Sequence, residues 1–561
     1  MEEFEVIIDN LKVKATPNQT ILEVAKNAGI IIPTLCFLKD INEPADCRVC
    51  VVEVEGAKHL VTSCNTLVTP NMKIKTSSPK VLDSRKTTVE LLLSNHNKNC
   101  LSCSKNTKCT LQSLSKTLNC NADRFKGAEI KRIPDRTNPC IERDESKCIL
   151  CGRCVSVCAK RQGVHAINKV GRGFDTTIGC AYEKGLGNST CVGCGQCVLV
   201  CPTGALKETS HLNKVIDILN DENIETVVQV APSVRVALAE EFGAPIGTFC
   251  EGKIATALRR IGFNHVYDVN TGADFTIVEE SKELIDRITN HTAPLPMFTS
   301  CCPGWYKFLE EFEPDMLPHL STCKSPNEML GSLVKEYFKK QGKEVKIISI
   351  MPCTAKKQEI TKYSVIDAIL TTRELAELIK YKNIDFNFLP DSKFDEPFGL
   401  YSGAGLIFGA TGGVMEAALR TAYSYLNKSE KPLDIKTVRE SIGKKEVEIV
   451  TDSRTLRVAI INGLGNAKSY LEDIKSGKAK VDFVEFMACP GGCVNGGGQP
   501  YVDYSKVNLK EVIKKRTAPL YLKDTEITLR ESHKNEGVLN VYKELLDNDE
   551  HLIHKLLHNQ K

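Results

Sequence analysis

The sequence predicts a multidomain chain in which small, cysteine-dominated units precede one large α/β unit. Three observations carry that prediction. The chain has 561 residues, more than one hydrophobic core can organise. It has 25 cysteines, most of them before residue 202 and in closely spaced runs. From about residue 211, apolar strand-like runs alternate with helical stretches, the pattern of a mostly parallel sheet covered by helices.

Residues 1–80 read as a β-rich unit. FEVIID and KVKA alternate like two strands joined by a turn at Asn10, and ILEVAKNAG reads as a helix ended by Gly29. Residues 81–125 and 126–210 are dominated by cysteine spacing and have little room for an apolar core, so whatever the cysteines bind must act as that core. Over 211–561, TVVQVA, KIISIM, AILTT and RVAIING read as strands, and RELAELIKY and VMEAALRTAYSYL as helices. Chemistry is expected in the loops at strand ends. The Lys-, Asp- and His-rich stretch after about residue 500 reads as a helical or loop wrapping.

Composition narrows the function. Apolar residues make up 42% and aromatic residues 6%, as in ordinary soluble globular proteins. A formal charge of +4 on 62.0 kDa argues against a general nucleic-acid binder. MEEFEV lacks the features of a signal peptide, and no apolar run approaches the ~20 residues that span a bilayer. A cytoplasmic protein is expected, with no membrane partner. In a reducing compartment, clustered cysteines read as metal or redox sites.

The strongest signal is a tandem. Cys148, Cys151, Cys154 and Cys158 have the spacing C-x2-C-x2-C-x3-C, and Cys191, Cys194, Cys197 and Cys201 repeat it before Pro202. Three thiolates within seven residues can wrap one cubane, and the fourth of each run reaches the other cubane in two-cluster ferredoxins. One cluster is therefore assigned to Cys148, Cys151, Cys154 and Cys201, the other to Cys191, Cys194, Cys197 and Cys158. Zinc rarely needs two identical four-cysteine runs. The first run ends in Ala159 where the pattern has Pro.

Cys36, Cys47, Cys50 and Cys64 form a looser set, a C-x2-C with distant outer partners, suited to a two-iron cluster on a β-rich unit. The first gap is ten residues, not the four of plant ferredoxins. His96, Cys100, Cys103 and Cys109 are H-x3-C-x2-C-x5-C, which spacing alone leaves open between zinc and a cluster. Position between two cluster units favours a wire made wholly of clusters.

Three further motifs each follow a strand-like run: TSCCPGW (299–305), MPCTAKK (351–357) and FMACPGGCVNGGGQ (486–499). All three could converge at one edge of a sheet, where Cys302, Cys353, Cys489 and Cys493 would hold one more cubane. These segments resemble the signatures of FeFe (iron-only) hydrogenases. The resemblance covers about residues 1–530, including the long N-terminal cluster arm of clostridial-type enzymes. It implies a β-grasp-like two-iron domain like that shared with the large cluster-bearing subunit of respiratory complex I. It also implies a His-ligated four-iron cluster at His96, a two-cluster ferredoxin domain and a two-lobed catalytic domain.

What the resemblance implies for the site is specific. One [2Fe-2S] cluster and three accessory [4Fe-4S] clusters would feed the H-cluster, a cubane bridged through Cys493 to a diiron unit with carbonyl, cyanide and amine-dithiolate ligands. Lys356 would pair with one cyanide, a buried charge matched by an anion. Pro232 and Ser233 would face the other, and Met351, Met487 and Phe408 would shield the irons. KSPNE carries Asn327 where the family pattern has Gln, a side chain one methylene shorter. GATGGVMEA lacks the spacing and Lys of a phosphate loop and reads as a tight strand-to-helix turn beside the cofactor.

The reaction implied is reversible reduction of protons to hydrogen, with electrons from ferredoxin or a similar carrier and with dedicated maturation proteins building the diiron unit. Cys301 would be the terminal proton shuttle, followed by Glu280, Ser321, Glu283 and then Arg287 at the surface. Glu280, Glu283 and Arg287 share one helical face by their spacing. The alternatives are a sensory or electron-bifurcating subunit and a non-catalytic hydrogenase-like protein. Absence of cysteines after Cys493 disfavours the former; retention of Cys301, Lys356, Met351 and Met487 disfavours the latter. Cys120, Cys140, Cys180, Cys250 and Cys323 read as buried structural thiols. Lys98, Lys105, Lys108, Lys116, Arg124, Lys126, Lys131 and Arg132, against Asp123 and Glu129, suggest a basic surface for an acidic carrier.

Overall fold

The computed structural model describes residues 3–130, 132–360, 364–427, 435–439, 442–451, 454–504 and 507–559. At its N-terminal end the alternating strands pair as their pattern requires: β1 (Phe4–Ile8) lies antiparallel to β2 (Leu11–Ala15), with Ile8 opposite Leu11. Asp9 and Asn10 take φ of 48° and 70°, the left-handed pair a two-residue hairpin turn needs. With β3 (Val51–Val54), β4 (Val61–Thr62) and β5 (Lys73–Lys75) they form a five-stranded sheet of order β2-β1-β5-β3-β4. The helix Ile21–Asn27 starts at a Thr20/Glu23 capping box, and its Ile21, Val24 and Ala25 pack with Val6, Ile8, Val52 and Ile74.

The next stretch holds little sheet: β6 (Ile141–Arg143) pairs with β9 (Leu206–Glu208), and β7 (Asn168–Val170) with β8 (Thr177–Gly179). Its core interleaves thiols with aliphatics, joining Cys140, Cys154, Cys180 and Cys201 to Ile141, Ile167, Val198 and Leu206.

Two four-stranded sheets, not one, make up the rest. The first, β11-β10-β13-β14, is fully parallel and contains β10 (Glu225–Val230), β11 (His265–Asp268), β13 (Val345–Met351) and β14 (Ala368–Thr371). The second, β12-β17-β16-β15, contains β12 (Met297–Phe298), β15 (Lys444–Val450), β16 (Thr455–Asn462) and β17 (Phe483–Met487). Only its β15–β16 pair is antiparallel.

The helix Val269–Asn290 explains the division. Its Val269, Phe275 and Val278 enter the core of the first sheet, and its Ala273, Ile277, Leu284 and Ile288 enter that of the second. A helix buried on two faces hides the amphipathic signal.

The glycine-rich GATGG turn is not strand-to-helix. It joins the helices Gly403–Ile407 and Gly413–Asn427, so the turn is helix-to-helix. The stretch after residue 500 is largely helical, with Leu509–Glu526, Glu536–Asn540 and Glu550–Leu557. Beyond the last of these the chain pairs with residues 322–324: Lys324 N–H donates to Leu557 O at 2.9 Å, and Asn559 N–H to Thr322 O at 2.8 Å. No helix among the described residues is long and apolar enough to cross a membrane.

Candidate active site

β12 and β17 deliver TSCC and ACPGGC from the second sheet, while β13 delivers MPC from the first. The cysteines therefore meet in the seam between two sheets, where a single sheet edge was expected. Close approach there depends on Gly492: its φ is +85°, and a Cβ on it would lie 2.6 Å from the Thr411 nitrogen.

The seam holds a cavity lined by Cys301, Cys302, Cys353, Cys489, Cys493 and Lys356. Pro232, Ser233, Asn327, Met351, Phe408 and Met487 complete the predicted set in the same wall. Burial, and then the charge of Cys302, pushes the Cys353 thiol up to about 12. Burial, followed by Cys353 and Cys302, pushes Cys489 well up, and Cys493 moves the same way, with Cys302 and Cys353 adding to burial. Thiols crowded in an apolar cavity cannot all ionise unless cationic metal lies among them.

Polar groups in the wall also call for an anionic guest. Lys356 is 8% exposed. Burial lowers its pKa, but Glu359, whose Oε1 accepts from Nζ at 2.7 Å, more than offsets this, and the net shift is upward. Nζ also donates to the Cys301 carbonyl at 3.3 Å. Asn327 accepts from Gln229 Nε2 at its Oδ1 (2.7 Å), leaving its own Nδ2 buried without a partner. Ser233 donates to Gly409 O at 3.0 Å. Behind Cys302, the single tryptophan, Trp305, is fully buried and stacked on Phe486 at 3.9 Å, with Phe298 edge-on to Phe486.

The residues expected to carry protons lie beside this cavity. Cys301 is buried and its thiol is pushed well up by burial and then by Glu280. Glu280 is fully buried with neither carboxylate oxygen well hydrogen-bonded. Burial, and next the charge of Glu283, pushes it up to about 8, although the Ser300 N–H and Ser321 hydroxyl moderate the rise. Ser321 donates to Glu283 Oε2 at 2.9 Å, and Arg287 grips Glu283 Oε1 at 2.6 Å.

Arg287 is not at the surface. It is 1% exposed and donates to the carbonyls of Leu320, His319 and Pro294, a buried cation satisfied by backbone. Sequence reasoning missed Glu359, Gln229, Thr322 and His558. Only Glu359 left a trace, three residues from Lys356.

Of the remaining thiols, Cys148, Cys151, Cys154 and Cys201 line one cavity. Cys197 feels the charge of Cys194, Cys191 and Cys158. Cys194 also lines the seam cavity that holds Cys302 and Cys493. Cys50 Sγ lies 3.3 Å from Cys64 Sγ, and Cys36 interacts with Cys47. Cys103 and Cys109 face each other electrostatically; Cys100 O accepts from Cys103 N–H at 3.1 Å. His96 has an unpartnered Nδ1, and burial, then Lys147, pushes its pKa down to about 4, a neutral imidazole suited to metal. Of the other thiols, Cys140, Cys180, Cys250 and Cys323 are buried and Cys120 is half-buried.

The basic surface shrinks. Lys105 is 3% exposed and stacks over Tyr501. Lys98, Lys108, Arg124 and Arg132 pair with Asp123, Glu241, Glu90 and Glu145. Lys116 and Lys126 stay exposed, and Lys131 lies outside the described residues.

Comparison with known proteins matches residues 224–497 to the C-terminal domain of the iron-only hydrogenase large subunit and 510–560 to the iron hydrogenase small subunit. Residues 2–79 match a 2Fe-2S cluster binding domain, 85–124 the NADH-ubiquinone oxidoreductase-G iron-sulfur binding region, and 118–205 a 4Fe-4S dicluster domain. The chain is 43% identical to the NADP-reducing hydrogenase subunit HndD of Solidesulfovibrio fructosivorans, over 100% of this chain and 98% of that one. It is 40% identical to iron hydrogenase 1 of Clostridium pasteurianum, over 99% of both. The apo FeFe-hydrogenase HydA1 of Chlamydomonas reinhardtii superposes with a TM-score of 0.55 at 40% identity, covering 63% of this chain and 98% of that structure.

Proposed function

The chain belongs to the iron-only (FeFe) hydrogenase family, and on that premise we propose that it interconverts protons and hydrogen at an H-cluster held by Cys302, Cys353, Cys489 and Cys493. The observation that carries this reading is the meeting of those four thiols with Lys356, Met351, Met487 and Phe408 in one buried cavity. The fit is chemical as well as steric: crowded thiols, a buried cation and an orphaned amide donor suit an anionic iron–sulfur guest. When bound, that cofactor supplies the iron centre at which protons and electrons combine.

The protein's own groups do the rest. Lys356 and the Asn327 amide orient anionic ligands, while Met351, Met487 and Phe408 exclude water. Cys301 gives and recovers a proton at its Sγ. Glu280, neutral near pH 7 because of its burial, passes the proton toward Ser321 and Glu283.

For electrons, the arm divides at residues 80, 125 and 210. A β-grasp-like two-iron domain holds its cluster on Cys36, Cys47, Cys50 and Cys64, and His96, Cys100, Cys103 and Cys109 hold a four-iron cluster. The two tandem cubanes follow, crosswise as assigned, and the run containing Cys194 ends the wire against the active site. A ferredoxin-like carrier is the proposed donor. The near full-length match to an NADP-reducing hydrogenase subunit supports a second reading, in which a partner subunit supplies or withdraws the electrons. Infrared spectra of the maturated protein under hydrogen test the main proposal. Carbonyl and cyanide bands that respond to hydrogen are expected; their absence from active, iron-replete protein would overturn it.

A further inference from the structure

At the outer end of the Glu280–Ser321–Glu283 array, Glu283 shares a cluster with two residues that the proton path does not use. Glu283 Oε2, Cys323 Sγ and a ring nitrogen of His558 lie within 4.8 Å of one another. Cys323 Sγ is 4.0 Å from both Glu283 Oε2 and His558 Nδ1. Cys323 is fully buried and His558 is 8% exposed. Two elements hold the residues in place. Glu283 rides on the rigid helix Val269–Asn290. His558 and Cys323 are paired across the antiparallel bridge that ties the end of the chain to residues 322–324.

The ring is also oriented. His558 Nε2 meets Glu279 Oε2 at 3.1 Å, and Glu279 is itself fixed by Tyr542 (2.6 Å) and Lys282 (2.8 Å). A carboxylate accepting the Nε2 proton leaves Nδ1 with its lone pair facing the cluster, the carboxylate–histidine arrangement that supports metal-ligating imidazoles. Thr322 Oγ1 now lies between the two acceptors, 2.9 Å from Nδ1 and 3.1 Å from Glu283 Oε2, its single hydrogen serving one of them at a time. Rotating that hydroxyl away frees both atoms, while the Thr322 N–H still holds Glu283 at 2.9 Å.

We propose that Glu283, Cys323 and His558 form a binding site for a divalent cation of the zinc class, and that its occupancy closes the outer end of the proton path. One sulfur, one imidazole nitrogen and one carboxylate oxygen, with a fourth position for water, is a donor set zinc accepts. Tetrahedral bond lengths ask for a sulfur–nitrogen separation of roughly 3.5 Å, so the pair must close by only about half an ångström. Binding releases the Cys323 thiol proton to solvent and changes no oxidation state. Glu283 cannot accept a proton from Ser321 while its Oε2 is bound to the cation. The closing role rests on the proton path proposed above; the binding role does not.

The test uses cluster-loaded, full-length protein and zinc chloride. Zinc retained after desalting is measured against iron for wild type, Cys323→Ala and His558→Gln, alongside zinc X-ray absorption. One extra zinc per chain in the wild type, with a single sulfur neighbour, is expected, and each variant should lose it at unchanged iron content. Equal retention in all three would overturn the site. If a variant loses iron, the wild-type absorption spectrum decides: no sulfur neighbour at the bound zinc also overturns it. Hydrogen evolution, scaled to each protein's own metal-free rate, should fall at least tenfold with zinc in the wild type alone. Binding without that fall would leave the metal site standing and remove Glu283 from the proton path.

Discussion

Ser321 donates its hydroxyl hydrogen bond to Glu283 Oε2 across 2.9 Å, while Glu280, on the same helix as Glu283, has neither carboxylate oxygen well hydrogen-bonded. A satisfied acceptor thus stands one turn from an unsatisfied acid. That asymmetry suits a relay, because the inner group must change protonation state and the outer one must take up what it gives.

Cys301→Ser and Glu280→Gln should each assemble a normal cofactor and lose roughly 10²–10⁴-fold in hydrogen evolution and uptake, the range that proton transfer by a placed side chain contributes. Gas production per mole of infrared-competent enzyme measures this. Near wild-type turnover in Cys301→Ser with intact bands would return Cys301 to the structural thiols.

Glu280 should be protonated at pH 7 and ionise near its raised value of about 8. The unfolded carboxyl ionises near 4.5, so between 4.5 and 8 the folded chain holds a proton that the unfolded chain has lost. Its contribution to stability therefore falls as pH rises through that window. Infrared difference spectra should show a protonated-carboxyl stretch at pH 7 that fades above pH 8 and is missing in Glu280→Gln. A stretch already lost at pH 6 would refute the raised value.

Arg373 forks onto Glu208, with Nε and Nη2 at 2.9 and 2.7 Å from the two carboxylate oxygens, and it also donates to Gly497 O at 2.9 Å. The pair joins β9 to the seam and is almost wholly buried. Arg373→Ala leaves a buried carboxylate stripped of its paired cation, with the Thr371 hydroxyl at 3.1 Å still donating to it, and should cost about 3–5 kcal/mol, read as an earlier midpoint for loss of cluster absorbance in urea. Burial alone would raise Glu208, but Arg373 overcomes it and holds the pKa low. The pair's contribution is thus full above 4.5 and is lost as pH falls through the depressed value.

Reversing Lys116 and Lys126 to Glu should slow ferredoxin-linked turnover several-fold at low salt and leave turnover with a cationic dye unchanged. Steering of this kind is screened over a Debye length of ~8 Å at physiological ionic strength. Identical salt dependence in wild type and variant would remove these lysines from the docking surface.

Expression without dedicated maturation proteins should give a chain that carries its cubanes and makes no hydrogen. Iron content and turnover on one preparation decide this: high activity with no added diiron compound would contradict it.

Much of the site was legible because its chemistry needs cysteines at fixed spacing. The tandem runs of Cys148–Cys158 and Cys191–Cys201 stand out by spacing, and the three later motifs by their place after strand-like runs and their family resemblance; Cys148, Cys151, Cys154, Cys194, Cys201, Cys302, Cys353, Cys489 and Cys493 line the two cavities. The hairpin at Asp9 and Asn10 was equally plain, since alternation and left-handed turn residues are local signals. What failed was tertiary. Nothing local says that the strand before MPC and the strand before ACPGGC lie in different sheets, because that division depends on both faces of the helix Val269–Asn290 being covered. Arg287 read as a surface cation because three backbone carbonyls that satisfy it come from 294–320. Lys105 looked basic and exposed, yet it is buried over Tyr501, which lies far along the chain. His558 carried no sequence signal at all, as its partners are reached only through the pairing of the chain's end with residues 322–324.

Trp305, stacked on Phe486 beside Cys302, gives the site its own optical probe. Because it is the only tryptophan in the sequence, its fluorescence arises from this one position, free of background from the cluster arm. Full burial should place its emission toward the blue. Iron seated on the neighbouring cysteine should quench that emission by energy transfer. Filling and emptying of the seam can therefore be followed in real time by light alone, in unlabelled protein and without waiting for catalysis.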